Sequence, residues 1–267
     1  MEKNRPVGIF DSGIGGLTVV KAVNRLLPNE DIVYLADTAR FPFGNKSKST
    51  IEKYSLEISE FLIHKDVKMI IIACNTASSL GIEAVRKVYD LPVLGVIGPG
   101  ARTALKISKN RKIGVIGTRA TINSGSYIKA LKLVDPNVEI FSVPTPLLVP
   151  LAEEGWNNSD ITKKVAEIYL ASLLEKEIDT LILGCTHYPL IKEMIGEILG
   201  RRVNLVDSAE ALALEARQIL IEKQMAREDQ RPGKIKYYTT DAPESFIETG
   251  SRLIDLDLGS AEQAVIL

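Results

Sequence analysis

The chain has 267 residues, enough for one large or two modest domains that bury a core without cross-links, and its 33 Lys and Arg against 34 Asp and Glu leave a formal charge of −1. That balance provides no basic excess for a nucleic-acid backbone, while 45% hydrophobic and 25% charged residues exclude a disordered chain. The longest apolar run, 69–74, is far short of the ~20 residues a membrane-spanning helix needs, and Asp11 interrupts the N-terminal apolar stretch before a secretion signal can form. The expected location is the cytoplasm, with neither membrane nor nucleic acid as partner.

Short β-prone runs alternate with helix-period runs, the pattern of βα units around a parallel sheet, so the expected class is α/β. In chain order, strands are expected at 6–10, 31–36, 67–73, 93–97, 112–117, 139–143, 180–184, 203–206 and 235–240. The near-continuous apolar runs at 67–73 and 180–184 read as strands buried on both faces. Helices are clearest at 50–64, 160–175 and 209–224, where apolar residues recur every three or four positions. His64 reads as a helix C-terminus and Asp207-Ser208 as an N-cap. Gly98-Pro99-Gly100 reads as a break between two halves, and 227–234 as a charged surface loop.

A weak internal repeat organises these elements. Residues 6–12 (PVGIFDS) resemble 112–118 (KIGVIGT), and 67–76 (VKMIIIACNT) resemble 178–187 (IDTLILGCTH) after nearly the same chain interval. The expected architecture is two similar parallel-sheet α/β domains related by pseudo-symmetry, with the active site in the cleft between them. Residues 1–97 with 208–267 form the first, and 98–207 form the second. By repeat, Cys74 and Cys185 are equivalent.

Open α/β sheets bind ligands at the carboxyl ends of their strands. Asp11-Ser12, Cys74-Asn75-Thr76, Thr118 with Thr121, and Cys185-Thr186-His187 each follow an apolar strand and suit a small zwitterion such as an amino acid. The glycines at 13, 15 and 16 do not complete a dinucleotide fingerprint, because Thr18 stands where the third glycine belongs. Close approach of the first helix to its strand explains them instead. Cys-Asn-Thr and Cys-Thr-His are not metal spacings, and the chain has two His, so no metal is expected.

Two thiols facing each other across an amino acid could invert its stereocentre, one removing the α-proton and the other protonating the opposite face. Asp11 could relay protons or cap a helix. Glu153 could relay protons or end a helix in solvent. His187, in Cys185-Thr-His-Tyr-Pro189, reads as functional.

The segments Gly8–Thr18 (GIFDSGIGGLT), Ala73–Ser78 (ACNTAS) and Leu183–Pro189 (LGCTHYP) together resemble the glutamate racemase family of the cofactor-independent aspartate/glutamate racemase superfamily, over essentially the whole chain. Val149–Glu153 and Val206–Ser208 fit the same resemblance. It implies that Cys74 acts on D-glutamate with help from Asp11, and Cys185 on L-glutamate with help from His187 and Glu153. It further implies substrate contacts from Asp11, Ser12, Phe43, Gly44, Asn75, Thr76, Thr118, Thr121, Thr186 and His187. Phe43 stands where the family usually has Tyr, so only a backbone contact carries over there. A bacterial cytoplasmic homodimer that needs no cofactor and supplies D-glutamate for peptidoglycan is what the resemblance leads one to expect.

Overall fold

A computed structural model describes residues 2–255 and 257–266. Ten strands are described: β1 (Val7–Asp11), β2 (Ile32–Ala36), β3 (Met69–Ile72), β4 (Val93–Gly95), β5 (Lys112–Gly117), β6 (Glu139–Pro144), β7 (Thr180–Gly184), β8 (Asn204–Asp207), β9 (Ile235–Thr239) and β10 (Ala261–Gln263). They form two sheets, one ordered β10-β9-β2-β1-β3-β4 and the other β6-β5-β7-β8. Every pairing is parallel.

The order β2-β1-β3-β4 in the first sheet has its counterpart in β6-β5-β7-β8 of the second. The two repeated segments therefore occupy equivalent positions: β1 and β5 are neighbours of β3 and β7, and each cysteine leaves the strand at its carboxyl end.

Side chains alternate across the central strands β1, β3, β5 and β7 and are apolar on both sides, as strands covered by helices on two faces require. Val7 and Ile9 of β1 point into the same core as Met69 and Ile71 of β3 and as Ile113, Val115 and Ile182 of the second sheet. The helices Leu17–Leu26, Ile97–Ile107 and Ser208–Glu222 contribute Leu17, Val20, Ala104, Leu212 and Ala216 to it, so one core binds the two sheets together. Phe10, Ile70 and Ile72 face a second core with Ile51, Ile58 and Leu62. Ile116, Leu181 and Leu183 face a third with Ala166 and Leu170.

Two local expectations are corrected, and one element is new. Residues 96–97 do not extend β4: a helix begins at Ile97 and takes in Gly98-Pro99-Gly100. Pro99 falls in its first turn, where a missing N–H removes no intrahelical bond, so the tripeptide does not break the chain. The 227–234 segment is the charged surface loop expected, with no helix or strand, and it is anchored to the fold at a few points. Arg227, whose side chain is 6% exposed, donates to Asp31 Oδ2 at 2.6 Å, and Lys234 N–H donates to Asp31 Oδ1 at 2.7 Å. Glu30 accepts Arg227 N–H at 2.8 Å and pairs with the buried Lys68 at 2.5 Å. Finally, β10 extends the sheet edge with the sequence Ala-Glu-Gln, whose composition carries no strand signal; pairing with β9 creates it.

Candidate active site

The carboxyl ends of β1, β3, β5 and β7 converge on a cavity of about 240 Å³. Both cysteines line it, 5% and 7% exposed, together with Ser12, Phe43, Gly44, Asn75, Thr76, Thr118, Thr186 and His187. Of the residues expected at the site, Asp11, Thr121 and Glu153 stand behind this lining.

Cys74 caps the helix Asn75–Leu80, its Sγ accepting the Ala77 N–H at 3.5 Å and lying 3.5 Å from Ser12 Oγ, to which it donates. Burial, reinforced by the nearby Asp11 carboxylate, pushes its thiol up to about 12. A protonated thiol is the form that stands ready at neutral pH.

Asp11 ends β1 fully buried, and its Oδ2 accepts N–H bonds from Gly13 at 3.1 Å and Gly16 at 3.0 Å. Oδ1 has no hydrogen-bond partner. Burial raises the carboxyl to about 6, although the His187 charge and the N–H donors pull it down. Tyr34 on β2 holds the same turn, donating to the Gly13 carbonyl at 2.6 Å. Gly15 is obligatory here because a Cβ would come within 2.5 Å of Thr186 Oγ1 and 2.6 Å of His187, so it lets the second sheet's loop close against the first.

On the other side, Cys185 Sγ lies 3.7 Å from His187 Nδ1, and His187 Nε2 lies 2.8 Å from Glu153 Oε1. Burial alone would drive the imidazole toward its neutral form, but the bonds to Cys185 and Glu153 prevail and raise it to about 10. The raised value favours the imidazolium at neutral pH, the form in which Nδ1 faces Cys185 and Nε2 faces Glu153 as donors. Glu153 ends the helix Leu148–Glu153, and Arg252 donates to its backbone carbonyl at 3.2 Å.

Two residues after Cys74, Thr76 Oγ1 shares hydrogen bonds with Thr118 Oγ1 at 2.9 Å and Thr121 Oγ1 at 3.2 Å, while Thr118 caps the helix Arg119–Asn123. Thr121 therefore orients Thr76 and does not line the cavity. Phe43 is 1% exposed, with its ring 5.5 Å from that of Tyr54. Two groups had no site role assigned from the sequence. Phe41, Pro42, Pro146, Val149 and Pro150 wall the cavity with apolar surface. Tyr127 donates to Asn75 Oδ1 at 2.8 Å and lies 3.2 Å from Ser208 Oγ, orienting Asn75 from behind. The prolines at 146 and 150 were the available signal; nothing local marks Tyr127.

Among the described residues, no group of three or more His, Cys, Asp or Glu side chains is placed to hold a metal ion, and no helix is long and apolar enough to cross a membrane.

The family described as Asp/Glu/Hydantoin racemase matches residues 9–216. A curated relative named glutamate racemase, from Geobacter metallireducens, is 47% identical over 97% of this chain and 96% of its own. Among solved structures, glutamate racemase isoform RacE1 from Bacillus anthracis superposes with a TM-score of 0.96 at 37% identity, covering 99% of this chain and 98% of that one. The glutamate racemase of Francisella tularensis, solved in complex with D-glutamate, gives 0.92 at 40% identity over the same shares.

Proposed function

The chain belongs to the Asp/Glu/Hydantoin racemase family, and from that premise we propose that it works as a glutamate racemase, an isomerase interconverting L- and D-glutamate. The observation that carries this reading is the placement of two buried thiols, at equivalent ends of β3 and β7, in the lining of one small cavity. Inversion needs one base and one acid on opposite faces of a planar carbanion, and a pair of thiols supplies both.

In this reading, one sulfur as thiolate takes the α-proton and the C–H pair of electrons remains on carbon. The other thiol then delivers its proton to the opposite face, so the two sulfurs have exchanged protonation states. Cys185 removes the proton from L-glutamate and Cys74 from D-glutamate. His187, held by Glu153, exchanges the proton of Cys185. Asp11, raised toward neutrality by burial, serves Cys74, with Ser12 Oγ on the sulfur. The α-hydrogen is a very weak acid, so the N–H and hydroxyl groups of Ser12, Asn75, Thr76, Thr118 and Thr186 are assigned to the substrate's charged groups, and Phe43-Gly44 to a backbone contact. The apolar walls exclude water and strengthen each of these interactions.

The product D-glutamate would supply peptidoglycan synthesis. The same reading assigns the protein to the cytoplasm as a homodimer; sedimentation equilibrium tests the dimer.

The activity test is racemisation of L-glutamate followed by circular dichroism without added cofactor, with L-aspartate as comparison, run in heavy water. Product should carry deuterium at Cα from the first turnovers while remaining substrate stays protonated, because the proton taken by one sulfur cannot cross the substrate to the other. Transfer of the substrate's own α-hydrogen into product would mean a single base and would refute the division between the cysteines. Faster turnover of aspartate would move the assignment to another substrate.

A further inference from the structure

The cavity lining contains one cation that no role above employs. Arg119 is the first residue of the helix Arg119–Asn123, is solvent-exposed, and lines the mouth of the cavity. Among the described residues its guanidinium makes no hydrogen bond and no ion pair. Other arginines near the site are committed: Arg40 to Asp37 at 2.7 Å and to Glu57, and Arg252 to the Glu153 carbonyl. A cation at the N-terminal end of a helix gains nothing from the helix dipole, so Arg119 has no visible structural employment.

The electrostatic setting gives it another. Among the described residues no Asp or Glu lines the cavity, and the His187 ring is already shared between Glu153 and Cys185. Glutamate at neutral pH carries two carboxylates and one ammonium, so a net anion must enter a pocket whose one uncommitted cation among the described residues is the exposed Arg119. Walls of Phe41, Pro42, Pro146 and Pro150 carry low-dielectric surface that focuses the field of a charge at the opening.

We infer that Arg119 captures the anionic substrate at the cavity mouth and so favours a dicarboxylate over its neutral side-chain amide. This rests on the glutamate reading above. It acts on association and leaves the proton transfers to the two thiols.

The test compares the unmodified protein with Arg119→Gln, Arg119→Lys and Arg119→Glu, measuring kcat and KM for L-glutamate from about 0.02 to about 0.5 M salt, a range over which screening between exposed charges becomes nearly complete. Arg119→Gln should raise KM roughly fivefold to tenfold at low salt and change kcat by less than about twofold, with the difference closing at high salt. Arg119→Lys should retain most of the low-salt advantage, and Arg119→Glu should lose more than Gln. Inhibition by glutamine should be the same in the unmodified protein and in Arg119→Gln. Parallel salt profiles for the unmodified protein and Arg119→Gln, or a fall in kcat at constant KM, would overturn the inference. Calorimetric binding of L-glutamate reads the same salt dependence without turnover. A protein that binds glutamate with this dependence but does not racemise it would sink the activity and uphold Arg119, whereas salt-independent binding with normal racemisation would do the reverse.

Discussion

Nε2 of His187 lies 2.8 Å from Oε1 of Glu153, although the two residues are 34 positions apart and belong to different elements. One follows β7; the other ends the helix Leu148–Glu153. Burial alone would neutralise this histidine; the bond to Cys185 and, next, this contact to Glu153 raise it instead.

Glu153→Gln should therefore lower the His187 titration midpoint from about 10 by more than one pH unit, because the anion goes and the burial stays. NMR titration of the imidazole carbons measures this. The raised value also stabilises the fold: that contribution is complete below the ordinary 6.5 and is lost as pH rises toward 10, so the variant should lose less stability than the unmodified protein between pH 7 and 10. An unmoved midpoint would remove Glu153 from its assigned role.

Replacing either cysteine by serine should reduce racemisation in both directions by a hundredfold or more, on the order of the effect of losing one acid–base group. A hydroxyl is a much weaker acid than a thiol, and each direction uses both sulfurs. Far-UV circular dichroism should be unchanged, since both side chains are small and the cavity stays polar at those points. Near-normal rates in one variant would show that its sulfur takes no part.

Asp11 gives a pH signature of the opposite sign to that of an ion-paired carboxylate. Its folded value of about 6 exceeds the ordinary 3.8, so the folded state holds the proton more tightly, and this stabilisation is present below 3.8 and lost by pH 6. A rise of that size corresponds to roughly 3 kcal/mol. Urea unfolding of Asp11→Asn should accordingly gain on the unmodified protein between pH 4 and pH 7, by an amount of that order. A difference independent of pH would show that burial does not govern this carboxyl.

Asp31 behaves conversely. Partial burial would raise it, but Arg231, the Lys234 N–H and Arg227 hold it well below the carboxylate range. Its stabilisation is present above the ordinary value and fades as pH falls toward the folded one. Asp31→Asn should cost about 1–3 kcal/mol at pH 7, since it loosens the docked 227–234 segment, and the difference should shrink in acid. Turnover per folded molecule should not change, because Asp31 lies at the amino end of β2, away from the cavity.

The sequence by itself determined the alternation of buried strands and amphipathic helices, because side-chain periodicity is a local property that the parallel sheets simply use. It also carried the internal repeat, and with it the equivalence of Cys74 and Cys185, since homologous segments keep their order along the chain. Short-range chemistry was legible too: Asp207 does cap its helix, accepting the Ala209 N–H at 2.9 Å, and His64 does close one. Relations between distant positions came from the packing of the folded chain. Pro99 proved compatible with a helix because it fell in the first turn, and β10 became a strand because β9 offered an unpaired edge. Asp11 and Thr121 stand one layer behind the cavity, and Glu153 reaches His187, because the way the helices cross the sheets sets depth and no spacing along the chain encodes it. Arg119 reads as an ordinary surface cation until the fold places it, without a partner, at the cavity mouth.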